Sequence, residues 1–195
     1  MVGTFHYLML GAALFTIGVI GVLTRKNIMA SAGIGSTPHV AGEMFKTMAG
    51  VDLFHVPYRG AQVFPALLTG EAQVYFGPLL SSIEYVRAGS FRALAVTTVA
   101  RSPVLPDVPA LDEVLPGYEA STWFGIGGPK HTPEEIIEIL NKAVNLGIAD
   151  PKFQAQLAAM GGTVLGGSPA EFAKLISGEV KKWSNVVLAA NMKRE

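Results

Sequence analysis

Residues 51–99 read VDLFHVPYRGAQVFPALLTGEAQVYFGPLLSSIEYVRAGSFRALAVTTV, and their rhythm decides the fold. Three short runs, Leu53–Val56, Ala72–Phe76 and Phe91–Val99, are largely apolar rather than alternating. Strands of a parallel sheet covered on both faces have that composition. Between them lie Ala61–Thr69 and Leu79–Ala88, each the length of a crossover helix, stopped by Gly70 and Gly89 in C-cap positions. Strand, helix, strand, helix, strand predicts a doubly wound α/β fold.

Downstream, Pro103, Pro106, Pro109 and Pro116 mark a long irregular connection, followed by another apolar run, Thr122–Gly127. The last third is helical. Thr132-Pro133-Glu134-Glu135 sets out an N-cap, a first-turn proline and a capping-box glutamate, and Ser168-Pro169-Ala170-Glu171 repeats the device. Asp150-Pro151 opens a third helix, which Gly161 closes. Ile136, Leu140 and Val144 form one apolar stripe; Phe172, Ile176, Val180, Trp183 and Val187 form another, and both read as core rather than as cofactor contacts.

Upstream, Ala30-Ser31-Ala32-Gly33-Ile34-Gly35-Ser36-Thr37-Pro38-His39 reads as a loop entering a helix. Gly33 and Gly35 allow positive φ and close approach of a ligand. Ser36 or Thr37 caps the helix and Pro38 fits its first turn. Free N–H groups and the helix dipole there suit an anion, and plain helix capping suits the same residues. His39 and Glu43, four apart, read as a first-turn polar residue and a solvated glutamate, since a metal site needs further ligands that are not spaced nearby.

Composition removes several function classes. The 195 residues carry 15 Lys and Arg against 15 Asp and Glu, a net charge of zero. That balance lacks the basic footprint of a nucleic-acid binder. There is no cysteine, which removes thiol catalysis and cysteine zinc sites. The length suffices for a buried core in one domain or a small pair. There is no G-x-S-x-G elbow, because Gly33-Ile34-Gly35-Ser36-Thr37 holds its serine one step out of register. Nor is it G-x-G-x-x-G, since Pro38 stands at the third glycine, and no phosphate-loop G-K-[ST] occurs. The reading is a non-enzyme without cofactor or metal.

Residues 1–24 contain no Asp, Glu, Lys or Arg, and Tyr7–Leu23 is apolar or small throughout. Three readings compete: a secretory signal with Ala30-Ser31-Ala32 as cleavage motif, a membrane anchor, or a buried helix. The anchor fits best, with residues 5–24 as the membrane contact, because nothing basic precedes the run and Arg25-Lys26 follow it. By the positive-inside tendency that pair would keep the rest of the chain cytoplasmic. Within residues 1–29, HYL (6–8), LFTIG (14–18) and GVLTRKN (21–27) resemble the first membrane helix of subunit K of the proton-pumping NADH:quinone oxidoreductase. Its later glutamate-bearing helices have no counterpart here, so no proton-pumping role follows.

A second resemblance covers most of the chain, from about Ala30 to the C-terminus. ASAGIGSTPHVAGEMFKTMAGVDLFHVPYRGA (30–61), RALAVTTVARSPVLPDVPALDEVLPGYEASTWFGIGGP (92–129) and GGSPAEFAKLI (166–176) resemble the Bug, or TctC-like, family. These are solute receptors of tripartite tricarboxylate transporters. The resemblance implies a periplasmic-binding-protein-like fold, periplasmic location, small carboxylate ligands and membrane transporter subunits as partners. It places the ligand loop at Gly33, Gly35, Ser36, Thr37 and His39, and a second contact at Tyr58, Arg59 and Gly60 in Val56-Pro57-Tyr58-Arg59-Gly60. Phe76-Gly77-Pro78 departs from the acidic residue frequent at that strand end. The resemblance also implies a truncated fold, one βα lobe plus C-terminal helices of the other, preceded by an apolar N-terminal helix. Residues 1–29 are then leader, 30–120 the second lobe and 121–195 the returning part of the first. The alternative is a membrane-tethered or non-functional fusion product that binds no ligand.

Overall fold

A computed structural model of the chain describes residues 27–192. Its elements are β1 (Ile28–Ser31), α1 (Thr37–Ala49), β2 (Phe54–Pro57), a 3-10 turn (Gly60–Gln62) leading into α2 (Val63–Leu68), β3 (Val74–Tyr75) and α3 (Leu79–Arg87). A second 3-10 turn (Leu111–Glu113) precedes α4 (Glu134–Ile148), α5 (Pro151–Ala159) and α6 (Pro169–Ala189). The apolar run Tyr7–Leu23 and Arg25-Lys26 lie outside the described residues. Among the described residues, no helix is long and apolar enough to cross a membrane.

The sheet is parallel, in the order β2-β1-β3, with Ala30 opposite both Val56 and Tyr75. Its central strand, Ile-Met-Ala-Ser, crosses the line drawn at residues 29 and 30 between leader and lobe. Four residues beside a glycine-rich loop carry too little periodicity to announce a strand. Burial assigns their role instead: Met29, Ala30 and Ser31 are all fully buried. Alternation along β1 divides them between two faces. Ala30 packs with Val63, Ala66 and Ala72 on the α2 side. Met29 lies under α1 at Gly42, where an added Cβ would come within 1.9 Å of the Met29 sulfur.

The other boundaries shift modestly. Leu53–Val56 becomes Phe54–Pro57, and Ala72–Phe76 shrinks to two residues. The left-handed φ values of Gly70 and Gly89, 74° and 69°, place them just past α2 and α3 as expected. Phe91–Val99, however, forms no strand. Its pairing reduces to one parallel bridge, Val96 with Ala110, and a bond from the Ala120 N–H to the Thr97 carbonyl; Pro109, beside the bridge, has no N–H with which to extend the ladder. Thr122–Gly127 is likewise irregular, with Phe124 and Ile126 exposed.

A second core lies beyond α1. Ala41, Leu111, Tyr118 and Ala120 pack with Phe45, Phe76 and Trp183, so α1 is held between the sheet and the segment 110–120 with α6. The helical third confirms two of its three caps. Asp150 accepts the N–H groups of Lys152 and Phe153, and Ser168 and Glu171 form a reciprocal capping box. Thr132 does not cap: Pro133 takes the N-cap place of α4, and the Thr132 hydroxyl donates to the Pro129 carbonyl at 2.8 Å. The apolar stripes are core only in part: Trp183 packs on the second cluster, and Phe172 and Val187 are half-buried. No residue of α4 or α6 is fully buried, and Ile136, Leu140, Ile176 and Val180 are exposed.

Candidate functional site

In an open parallel sheet, ligands lie outside the carboxyl ends of strands whose outgoing connections part company. Here those strands are β1 and β3, since β1 leads through α1 to one edge and β3 occupies the other. A cavity of about 490 Å³ opens at that place. Ser36, Thr37 and Pro38 from the β1–α1 loop form one wall; Pro78 and Ser81 at the start of α3 form another. Gly60, Val63 and Phe64 close a third side, and Thr122 and Phe124 reach across from the irregular run. A larger hollow of about 660 Å³, lined by Asn145, Gln154 and Gly161 among others, lies at α4 and α5, away from the strand ends. The strand-end cavity is the candidate site because helix termini face it.

Among the described residues, no Asp, Glu, Lys, Arg or His lines the cavity. What it offers is donors. α1 and α3 both begin there; Pro38 has no N–H, and the His39 and Ser81 N–H groups donate to the Ser36 and Pro78 carbonyls, which leaves the N–H groups of Thr37, Leu79 and Leu80 without a partner among the described residues. The N–H and hydroxyl of Thr37 make no hydrogen bond among the described residues. Tyr75, also on the wall, has its phenol pushed up by burial and so remains a neutral hydroxyl. Phe64 meets the Tyr75 ring edge-on at 6.1 Å. The result is an apolar, aromatic-sided pocket with backbone dipoles aimed into it.

The residues expected from sequence divide into three groups. Ser36, Thr37 and Gly60 line the cavity. Gly33, Gly35 and His39 shape the loop from behind. The Gly33 and Gly35 φ values of 129° and 73° are open only to glycine at little cost, but their N–H groups are already engaged. Gly33 N–H points to Ser31 Oγ at 3.4 Å, and Gly35 N–H donates to His39 Nδ1 at 3.0 Å. Ser36 sits at the N-cap place without capping; its hydroxyl donates back to the Gly33 carbonyl at 2.6 Å. Tyr58 and Arg59 stand on the turn after β2, outside the lining. The Tyr58 hydroxyl donates to Glu71 at 3.0 Å, and Arg59 is exposed.

Glu43 is not the solvated residue its spacing suggested. It is buried and pairs with Lys46 at 3.0 Å, with His39 Nε2 3.9 Å away. Sequence reasoning also passed over Ser81, Phe64, Tyr75 and Phe124. The signal available for the first three was that a third strand end, Tyr75, and its following helix must meet the same edge.

Comparison with known proteins gives the family and the fold. The pattern of the tripartite tricarboxylate transporter family receptor matches residues 17–192. It therefore begins inside the stretch that resembles subunit K, a resemblance to which the comparisons lend no support. A protein from the tcbD-tcbE intergenic region of Pseudomonas sp. strain P51 is 37% identical over 164 residues, covering 82% of this chain and 48% of its own length. One from the clcB-clcD intergenic region of Pseudomonas knackmussii is 32% identical over 80% of this chain and 95% of its own. An R. palustris protein solved with adipate superposes with a TM-score of 0.82 and 35% identity, over 86% of this chain and 56% of that one. MatC from Rhodopseudomonas palustris, with bound malate, gives 0.78 and 28% over 87% and 60%. The periplasmic binding protein BugD gives 0.78 and 31% over 87% and 58%. The chain thus spans about half the length of the first relative and of these solved proteins. It has the α/β fold of periplasmic binding proteins over that half, and it belongs to the tripartite tricarboxylate transporter family of receptors, which are binding proteins and not enzymes.

Proposed function

We propose that the chain binds a small carboxylate at the strand-end cavity and serves as the solute receptor, or part of one, of a tripartite transport system. One observation carries the reading: α1 and α3 both direct their N-termini at a pocket that contains no charged side chain. Such termini attract negative charge through their unpaired N–H groups and dipoles. The solved relatives with adipate and malate support a dicarboxylate as the first ligand to try. In this reading Ser36, Thr37 and Gly60 meet the ligand, Gly33, Gly35 and His39 set the loop, and Tyr58 and Arg59 flank the mouth. Residues 30–120 carry the ligand-facing lobe, and 121–195 return to the other. Membrane transporter subunits are the partners, at the periplasmic side, and residues 5–24 supply any membrane contact.

Titrating the full chain with adipate, malate and the neutral isostere adipamide tests this. Good small-molecule pockets bury about 70–90% of their ligand, and this one is open on a side, so binding should be weaker than about 100 μM. Adipate should bind and adipamide should not. Equal binding of the two, or none by either dicarboxylate, would sink the reading; the second result favours a fusion product without ligand.

A further inference from the structure

Behind the loop sit two imidazoles that do not line the cavity. His39, in the first turn of α1, is 8% exposed. His55, in β2, stacks on it with ring centroids 3.7 Å apart and planes 9° from parallel. Each ring holds a different end of the loop. His39 Nδ1 accepts the Gly35 N–H. His55 Nε2 lies 2.7 Å from Ser31 Oγ, and that hydroxyl donates to the Gly33 carbonyl at 3.0 Å. With the Ser31 proton committed to Gly33, neutral His55 donates its Nε2–H to Ser31.

Resting on the carboxylate reading above, we propose that His39 and His55 are positioning residues, a stacked pair that holds Gly33–Ser36 in its ligand-facing shape only while His39 is neutral. A doubly protonated imidazole has no acceptor, so protonating His39 strips Gly35 of its partner. Protonated His55 keeps its Nε2–H on Ser31, and its charge opposes a second charge on His39. The groups facing the pair are Glu43 and Lys46 from α1 and Ser31 from β1. Glu43 favours the charged rings, but it is shared with Lys46, which opposes them. Burial decides the outcome: it holds His39 below the ordinary histidine value and His55 down at about 4, where the charge on His39 is the next cause. The loop is therefore set at neutral pH and released in acid.

The test follows the Gly35 amide proton by NMR in the full chain, as shift and exchange protection from pH 7.5 to 4. Parent, His39→Asn and His39→Phe are compared. In the parent, protection should fall at least tenfold as the rings titrate. His39→Asn places a non-titrating Oδ1 near the position of Nδ1, so Gly35 should stay protected with a flat pH profile. His39→Phe should lose that protection at every pH while Phe45, deeper in α1, keeps its own. A flat parent profile, or Gly35 unchanged in His39→Phe, overturns the proposal; if His39→Phe does not fold, parent against His39→Asn still decides. Adipate is titrated in parallel. Failure of every form to bind it, with Gly35 responding as expected, faults the carboxylate reading and upholds the latch.

Discussion

The Tyr118 hydroxyl donates to the carbonyl of Ala41 at 2.9 Å, inside the core, linking positions 77 residues apart. It joins the irregular 110–120 segment to the middle of α1, the helix whose first turn lines the cavity. Burial, then the charge of Glu119, pushes the phenol above its ordinary range, so it is a neutral donor at any working pH. Tyr118→Phe removes one hydrogen bond and leaves the ring in place. The expected loss is about 0.5–1.5 kcal/mol, read from urea unfolding. A loss above about 3 kcal/mol would show that the hydroxyl supports more than this one contact.

Gly42 is the close-approach point of α1 on the sheet. Gly42→Val drives its side chain into the fully buried Met29, whose thioether must shift within the core. Overpacking of this kind costs about 1–3 kcal/mol. The same substitution at Gly147 in α4, where a Cβ meets nothing within 4 Å, should cost well under half as much. Equal losses at the two sites would mean that helix propensity, not packing, sets the effect at Gly42.

The helix starts give a paired prediction. Ser168→Ala removes a working cap from α6 and should cost about 1 kcal/mol. Thr132→Ala removes a hydroxyl that bonds only to the Pro129 carbonyl in an exposed turn, and thermal unfolding should barely register it. A Thr132 effect as large as that of Ser168 would restore the capping role its sequence suggested.

Acid should destabilise the protein in two windows. In the folded state His39 and His55 hold their protons less tightly than an ordinary histidine near 6.5, so the unfolded chain takes up protons first and stability falls as pH drops from 6.5 through about 4. Glu113 is drawn down to about 2, by the Arg101 hydrogen bond and then the Ala110 N–H. Its contribution is present above the ordinary glutamate value of 4.5 and fades as pH falls through about 2. Urea midpoints measured from pH 7 to 2 should show a smaller first step in His55→Gln and no second step in Glu113→Gln. A parent midpoint that is flat between pH 6.5 and 4 would refute the first assignment.

Arg59 and Thr37 should differ in salt dependence. An exposed rim charge acts through long-range attraction, which about 0.15 M salt screens within roughly 8 Å. Arg59→Ala should weaken adipate binding a few-fold in low salt and negligibly in high salt. Thr37→Val removes a donor on the cavity wall, and its tenfold loss should persist in high salt. A salt-insensitive Arg59 effect would place the guanidinium in direct contact with the ligand.

The α/β fold was legible because its crossover helices end on Gly70 and Gly89 and its paired strands are apolar. β1 was not, since its four residues matter through burial at the centre of the sheet, a long-range property that no local pattern encodes. Phe91–Val99 misled for the converse reason: it has strand composition, but Pro109 beside its bridge has no N–H with which to extend the ladder. At the site, the glycine pair announced a special loop. Its spacing did not show that His39 would turn inward to occupy the Gly35 N–H, because that depends on His55 arriving from another strand.

In α4, α5 and α6 no side chain is fully buried. The elements around β1 carry nearly all of the tight packing, whereas the last third rests on caps, partial contacts and its own backbone ladder. Cooperative units with few buried contacts open at lower free energy than the global unfolding step. Unfolding should therefore begin from the C-terminal side, with amide hydrogens of α4–α6 exchanging through a sub-global opening. Those of β1 and the inner face of α1 would wait for complete unfolding. Limited proteolysis would cut first between Thr122 and Ala190 and leave a resistant core near residues 27–120, so the chain's mechanical weak line is drawn well away from the loop between β1 and α1.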